Sequence, residues 1–169
     1  MTHRAPRSRL GAPALALVLA LGLAAAGCGR GAGAEPSDDD APALEVVDAY
    51  LGPSTGSSAA AYLTLRNAGG ADTLVGVSAA GAERVELHRS ERRGGLDVMV
   101  RVDELAVTAG GVLRLEPFGD HLMLVGLDAP LEPGDTVALE LSFRRSAPLR
   151  VEGEVLGYDG VLARLGDAT

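Results

Sequence analysis

From residue 44 onward, the chain is divided into short segments in which apolar and polar side chains alternate. Clusters of Gly, Pro, Asn and Asp separate the segments at intervals of about ten residues, a spacing typical of a β-sandwich or barrel. No run of helical period is long enough to pack against a sheet. The sequence therefore predicts an all-β fold, a Greek-key β-sandwich. The predicted strands are residues 44–49, 60–66, 73–78, 84–89, 96–102, 111–115, 121–127, 136–143 and 149–155.

The first 27 residues have the pattern of an export signal. Three arginines precede an apolar run at residues 10–26, and small residues lead to Cys28, as in a lipoprotein cleavage site. The run alone could be a membrane anchor, but it is brief for a span. We predict a lipoprotein signal peptide at 1–27, acylation of Cys28, and a lipid-anchored, extracytoplasmic protein of the periplasm or cell envelope. Alanine replaces the usual leucine three residues before Cys28, so cleavage without acylation stays open.

Removal of the signal leaves a chain with 12 arginines, no lysine and 23 acidic residues, and thus a formal net charge of −11. This balance argues against nucleic acid as a partner, because phosphate binding needs a basic surface. Residues 28–43 are rich in Gly, Ala, Pro and Asp, which predicts a flexible acidic tether. The folded domain is predicted at 44–156, followed by a C-terminal tail at 157–169. Cys28 is the only cysteine, so no internal disulfide can form.

The mature chain keeps two histidines and two methionines, with the spacing H-x10-M-x21-H-x-M. Side chains alternate between the two faces of a strand, so each of these residues is predicted to lie on the face that its apolar neighbours do not use. Taken singly, each has an ordinary explanation as a solvated histidine or a core methionine. Taken together, they predict one exposed metal site. The predicted ligands are His88, Met99, His121 and Met123.

Imidazole and thioether donors without a thiolate are the set that suits Cu(I). Cu(II) prefers harder nitrogen and oxygen donors, and zinc is usually held by Cys, His or carboxylate. A blue-copper electron-transfer centre needs a cysteine thiolate, which no predicted strand supplies. The sequence therefore predicts a protein that binds and carries Cu(I).

The segment 60–67 (AAYLTLRN), the run VELH ending at His88, and GDHLML at 119–124 resemble the periplasmic copper chaperone family PCuAC. The resemblance covers residues 44–155 and implies a cupredoxin-like β-sandwich with Cu(I) held by His88, Met99, His121 and Met123. It also implies delivery of copper to the copper-bearing subunit of cytochrome c oxidase, alongside a Sco-type thiol chaperone. Two departures matter. Arg89 replaces a methionine common in the family, and residues 157–169 lack the His and Met of a Cu(II)-binding tail.

Other functions stay open at this point. The same site could serve copper storage or resistance, and a β-sandwich lipoprotein without metal could act in adhesion or as a scaffold. An enzyme is disfavoured, because neither histidine has a recognisable Ser or Cys nucleophile motif beside it. Asp120 could orient His121, although a turn residue before a strand is the simpler interpretation. Arg89, Arg92 and Arg93 form a basic loop that could dock an acidic partner or simply be solvated.

Overall fold

The computed structural model describes residues 37–166. This part of the chain forms ten strands and one helix in the order given below. The strands are β1 (Leu44–Leu51), β2 (Ser58–Asn67), β3 (Asp72–Ala79), β4 (Ala82–Arg93), β5 (Leu96–Val102), β6 (Leu105–Val107), β7 (Val112–Leu115), β8 (His121–Leu127), β9 (Thr136–Phe143) and β10 (Leu149–Val155), and the helix is α1 (Tyr158–Gly166).

All nine predicted strands are present, and four of them have the predicted bounds. The strand β6 was not predicted, because its three residues are too short to show an alternating pattern. The prediction that no helix packs against the sheet is wrong, since α1 buries Val161. Tyr158, Val161, Leu162 and Leu165 do have helical spacing, but the repeat covers only eight residues and Tyr158 and Leu162 stay exposed.

The strands form one continuous path in the order β5-β4-β8-β2-β1-β10-β9-β3-β6, with β7 paired to β2. The β1–β10 pairing is parallel, and the other pairings are antiparallel. Leu87 and Leu122, near one end of the path, share a buried cluster with Leu139 and Leu141, near the other. The path therefore folds back on itself into a β-sandwich, as the sequence predicts.

Alternation explains how the strands build this core. In β2, Ala59, Ala61, Leu63 and Leu65 point inward and are nearly inaccessible, while the residues between them are half-buried. Each fully buried leucine contributes about 1.5–3 kcal/mol relative to an exposed one. The same alternation in β4, β5 and β8 leaves one face of these strands free of core packing, and that face carries the candidate site.

The last residues of the predicted tether contact the domain. The guanidinium of Arg145 donates to the carbonyl oxygens of Asp38, Asp39 and Asp40. A Cβ atom on Gly70 would lie 2.0 Å from the Asp40 carbonyl oxygen, so glycine permits this close approach. Residues 38–40 of the predicted tether thus make specific contacts with the domain. Tether residues 29–36, the signal segment 1–27 and Cys28 lie outside the described residues.

Candidate metal centre

The register of β4 and β8 places His88 directly opposite His121. Their ring centroids are 5.2 Å apart and the rings meet edge to face at 78°. The adjacent pair in the β4–β8 ladder, Leu87 and Leu122, is buried in the core. Because neighbouring pairs point to opposite faces of a sheet, the two imidazoles share the face away from the core. Two residues far apart in the chain thus form one pair of nitrogen donors.

His121 is the most enclosed of the four predicted ligands, with 6% of its surface exposed. The sequence predicts exposure of all four, and for His121 this is wrong. The centroid of its ring lies 6.4 Å from that of Tyr62 on β2, and its ring packs edge to face with that of His88. Its Nδ1 lies 3.0 Å from the carbonyl oxygen of Gly119. Burial raises the pKa of Tyr62, so its phenol stays protonated and neutral beside the site.

Met123 lies two residues beyond His121 on β8 and is half-buried on the same face. It stands opposite Glu86 of β4 on one side and Ala60 of β2 on the other. Its side chain also lines a cavity of about 230 Å³ that Tyr62 and Tyr158 share. Met123 is therefore on the same face of β8 as His121 and is partly shielded from solvent.

Met99 lies on the edge strand β5 and is 51% exposed. It stands opposite Ser90, which is two residues beyond His88 on β4. Its Sδ atom is 3.2 Å from the hydroxyl oxygen of Ser90. The register therefore brings all four predicted ligands to one face of the adjacent strands β5, β4 and β8, with Met99 as the outermost donor.

Glu86 belongs to the same face, and the sequence-based ligand set did not include it. Its Oε2 lies 3.1 Å from Nε2 of His88, and its Oε1 accepts from Arg84 at 3.0 Å and Arg101 at 3.3 Å. The hydrogen bond from Arg84, then that from His88 and the charge of Arg101, hold the pKa of Glu86 below its usual range. A carboxylate therefore lies beside the donor set at neutral pH. Its position two residues before His88 was the sequence signal for it.

The turn before β8 is tied to β4 rather than to the imidazole of His121. One carboxylate oxygen of Asp120 accepts from the backbone N–H of Ser90 at 3.0 Å, and the other lies 3.6 Å from Nε of Arg89. Asp120 therefore anchors this turn. The group that holds His121 is instead the Gly119 carbonyl, which a search for side-chain motifs could not find.

The predicted basic loop is in fact the end of strand β4, because Arg89, Arg92 and Arg93 all lie within Ala82–Arg93, and each has an acidic neighbour. Arg92 lies 3.7 Å from a carboxylate oxygen of Asp97, and Arg93 lies 2.7 Å from Glu91. These pairs are exposed, so each contributes little to stability. They also reduce the positive charge that this end of β4 would offer to an acidic partner.

The donor types decide which ion could fit. Within residues 37–166, no three His, Cys, Asp or Glu side chains are grouped closely enough to hold a metal ion. The thioethers of Met99 and Met123 are further donor groups on the same face as the histidine pair. Neutral imidazole and thioether donors favour a soft monovalent ion over zinc or Cu(II).

A family model described as "Putative lipoprotein LpqE-like" matches residues 44–155. The chain belongs to the LpqE-like family. A "putative lipoprotein" of Leifsonia xyli subsp. xyli is 30% identical to it over 122 residues, which cover 71% of this chain and 74% of the relative. This LpqE-like chain contains no helix, within residues 37–166, that is both long and apolar enough to cross a membrane.

Solved structures similar to this LpqE-like chain include copper-binding proteins. The solution structure of Cu(I)-bound DR1885 from Deinococcus radiodurans is 32% identical with a TM-score of 0.55, covering 75% of this chain and 83% of that one. The copper-bound PCuAC domain of PmoF2 has a TM-score of 0.57 at 20% identity, covering 68% and 92%. The PCuAC resemblance is therefore confirmed for the fold, while the family itself is LpqE-like.

Proposed function

We propose that this protein is an extracytoplasmic lipoprotein that binds one Cu(I) ion and carries it as a chaperone. The ligands would be His88, Met99, His121 and Met123. The observation that carries the proposal is the opposed histidine pair of β4 and β8, flanked on the same face by two thioethers. The 32% identity to Cu(I)-bound DR1885 supports the same ion.

The placement of the donors suits an ion that is both held and released. His121 and Met123 lie inward, where water competes less for the ion, while Met99 is half exposed on an edge strand. Four neutral donors leave a bound Cu(I) with its single positive charge, which a partly exposed site tolerates. Met99 would be the first donor to exchange with a ligand of a partner, so transfer would proceed from the β5 side.

A copper carrier fixed to the membrane through Cys28 would work close to membrane-bound acceptors. We propose the copper-bearing subunit of cytochrome c oxidase as the recipient, with a Sco-type thiol chaperone acting alongside. The proposed role is binding and transfer of an ion rather than catalysis. A single site per chain favours transfer over storage of many ions.

The proposal is tested by anaerobic Cu(I) titration against a chromogenic Cu(I) chelator. The chain without its signal is used with Cys28→Ser, because a free thiol would itself bind Cu(I). We expect one ion per chain, and at least a 100-fold weaker affinity when His121→Ala and Met123→Ala are combined. Leu162→Ala, which shortens an exposed side chain on α1, is the control and should bind normally. Equal affinity in the double variant would refute the assignment.

A further inference from the structure

The two histidines of the site are held through different ring nitrogens. His88 has its Nε2 at 3.1 Å from a carboxylate oxygen of Glu86. His121 has its Nδ1 at 3.0 Å from the carbonyl oxygen of Gly119. A carboxylate and a backbone carbonyl can only accept hydrogen bonds, so each of these nitrogens carries the proton. In the neutral rings, the lone pairs are therefore on Nδ1 of His88 and Nε2 of His121.

Glu86 is itself held in place from two strands. Arg84 of β4 donates to its Oε1 at 3.0 Å, and Arg101 of β5 donates to the same oxygen at 3.3 Å. The other oxygen is thereby left for His88. The side chains of Glu86 and His88 are only 15% and 17% exposed, so water competes weakly for their hydrogen bond. The carboxylate thus restrains the ring of His88.

We infer that Glu86 is a positioning residue, which fixes His88 so that Nδ1 is its Cu(I) donor while His121 offers Nε2. This inference rests on the proposed function and deepens it. Glu86 also stands opposite Met123 in the β4–β8 register, so its negative charge lies within the donor group. It therefore favours a cation there without being one of the four ligands. Loss of a partner that orients a ligand histidine typically costs 10–100-fold in metal affinity.

The inference is tested first without metal, by ¹⁵N–¹H spectroscopy of the histidine rings in the chain with Cys28→Ser. We expect a slowly exchanging Nε2–H signal from His88 and a slowly exchanging Nδ1–H signal from His121. Glu86→Ala should abolish the first by exposing that proton to exchange with water. It should leave the second intact, and the His121 signal thereby shows that the variant is folded at the site.

Cu(I) binding is then measured in the same variants. Glu86→Ala should weaken the affinity about tenfold or more, and Arg101→Ala, which removes one of the two cations on the carboxylate, should weaken it less. Glu83→Ala is the matched control, because Glu83 is also on β4 beside Arg84 but is 72% exposed and points to the other face. In the chain with Cys28→Ser and no other change, which serves as the wild type here, Cu(I) should shift the resonances of Nδ1 of His88 and Nε2 of His121.

The results separate the inference from the proposed function. If Glu86→Ala keeps the His88 signal and the wild-type affinity, the positioning role is overturned while copper carriage stands. A shift of Nε2 instead of Nδ1 in copper-loaded His88 also overturns it. If the wild type binds no Cu(I), both proposals fail, and the proton signals of the metal-free protein then report only a structural hydrogen bond.

Discussion

At the scale of single residues, Asp72 is the buried acid whose partners are best defined. It is 5% exposed and accepts hydrogen bonds from the backbone N–H groups of Thr73, Arg145 and Ser146 and from the Ser146 hydroxyl. Burial alone would raise its pKa, but the bond from the Ser146 hydroxyl and those from the three amides together lower it below the usual value. Asp72 therefore holds the start of β3 to the loop after β9 as a carboxylate.

We predict that Asp72→Asn lowers the free energy of unfolding by about 1–3 kcal/mol at neutral pH, because an amide replaces the charged acceptor of these bonds. Because the pKa of Asp72 is lower in the folded state, its carboxylate stabilises the fold at pH values above its unfolded pKa of about 3.9. This stabilisation is lost as the pH falls through the folded pKa. The difference between the wild type and Asp72→Asn should therefore shrink below about pH 4. Urea unfolding at several pH values measures it, with the exposed Asp97→Asn as control.

Phe118 carries the backbone strain next to the site. Among residues 37–166 it is the only non-glycine residue with positive φ, at 66°, and it is 78% exposed. A left-handed conformation costs a non-glycine residue about 1–3 kcal/mol. The exposed ring recovers little of this cost by burial. The Phe118 carbonyl oxygen accepts a hydrogen bond from the Ser90 hydroxyl at 3.0 Å, which connects this turn to β4.

We predict that Phe118→Gly raises the free energy of unfolding by up to about 1 kcal/mol, since glycine adopts this φ freely but loses more entropy on folding. The midpoint of urea unfolding should rise without a change in its slope. Phe118→Ala keeps the strained conformation and should show no such gain. Destabilisation by Phe118→Gly would mean that contacts of the ring, rather than strain, dominate at this turn.

At the scale of elements, β8 joins the core to the site. Leu122 is fully buried opposite Leu87, while its neighbours His121 and Met123 point to the other face. Strand alternation predicted this division from the sequence, as it predicted that Arg84, Glu86 and His88 share a face of β4. The pairing of β8 with β4 and β2 was not predictable, because these strands are not consecutive in the chain.

We predict that Leu122→Ala lowers the free energy of unfolding by about 2–5 kcal/mol, through lost burial and the cavity that it leaves. The matched variant Leu162→Ala removes the same atoms from an exposed position of α1, so its effect should stay within about 0.5 kcal/mol. Equilibrium denaturation of both variants makes the comparison. Similar values for the two would contradict the placement of β8 at the core.

At the scale of the whole molecule, the proposed copper ligands lie on three strands, β4, β5 and β8, and β8 is distant from the other two in the chain. An ion that binds only the folded protein stabilises it, by about 2.7 kcal/mol when its free concentration is 100 times Kd. We therefore predict that Cu(I) raises Tm by several degrees in the chain with Cys28→Ser, which serves as the wild type for this test. The His121→Ala and Met123→Ala double variant should show no such rise in calorimetry. Equal Tm values for the wild type with and without Cu(I) would refute binding to the native state.

The sequence alone determined the strand periodicity, the sandwich fold and the side of each strand on which His88, Met99, His121 and Met123 lie. These features follow from alternation, which is a local property of extended chain. It also showed that the predicted domain, residues 44–156, has imidazole and thioether groups but no thiol as copper donors.

Only the tertiary structure decided that His88 stands against His121, that His121 is enclosed, and that Glu86 and the Gly119 carbonyl hold the two rings. The physical reason is that burial and hydrogen bonding between strands depend on register, and register here joins residues that are distant in the chain. The docking of residues 37–43 onto Arg145 and Gly70 has the same origin. The sequence gives the chemical type of each side chain, whereas the burial and the partners of that side chain depend on the strands packed around it.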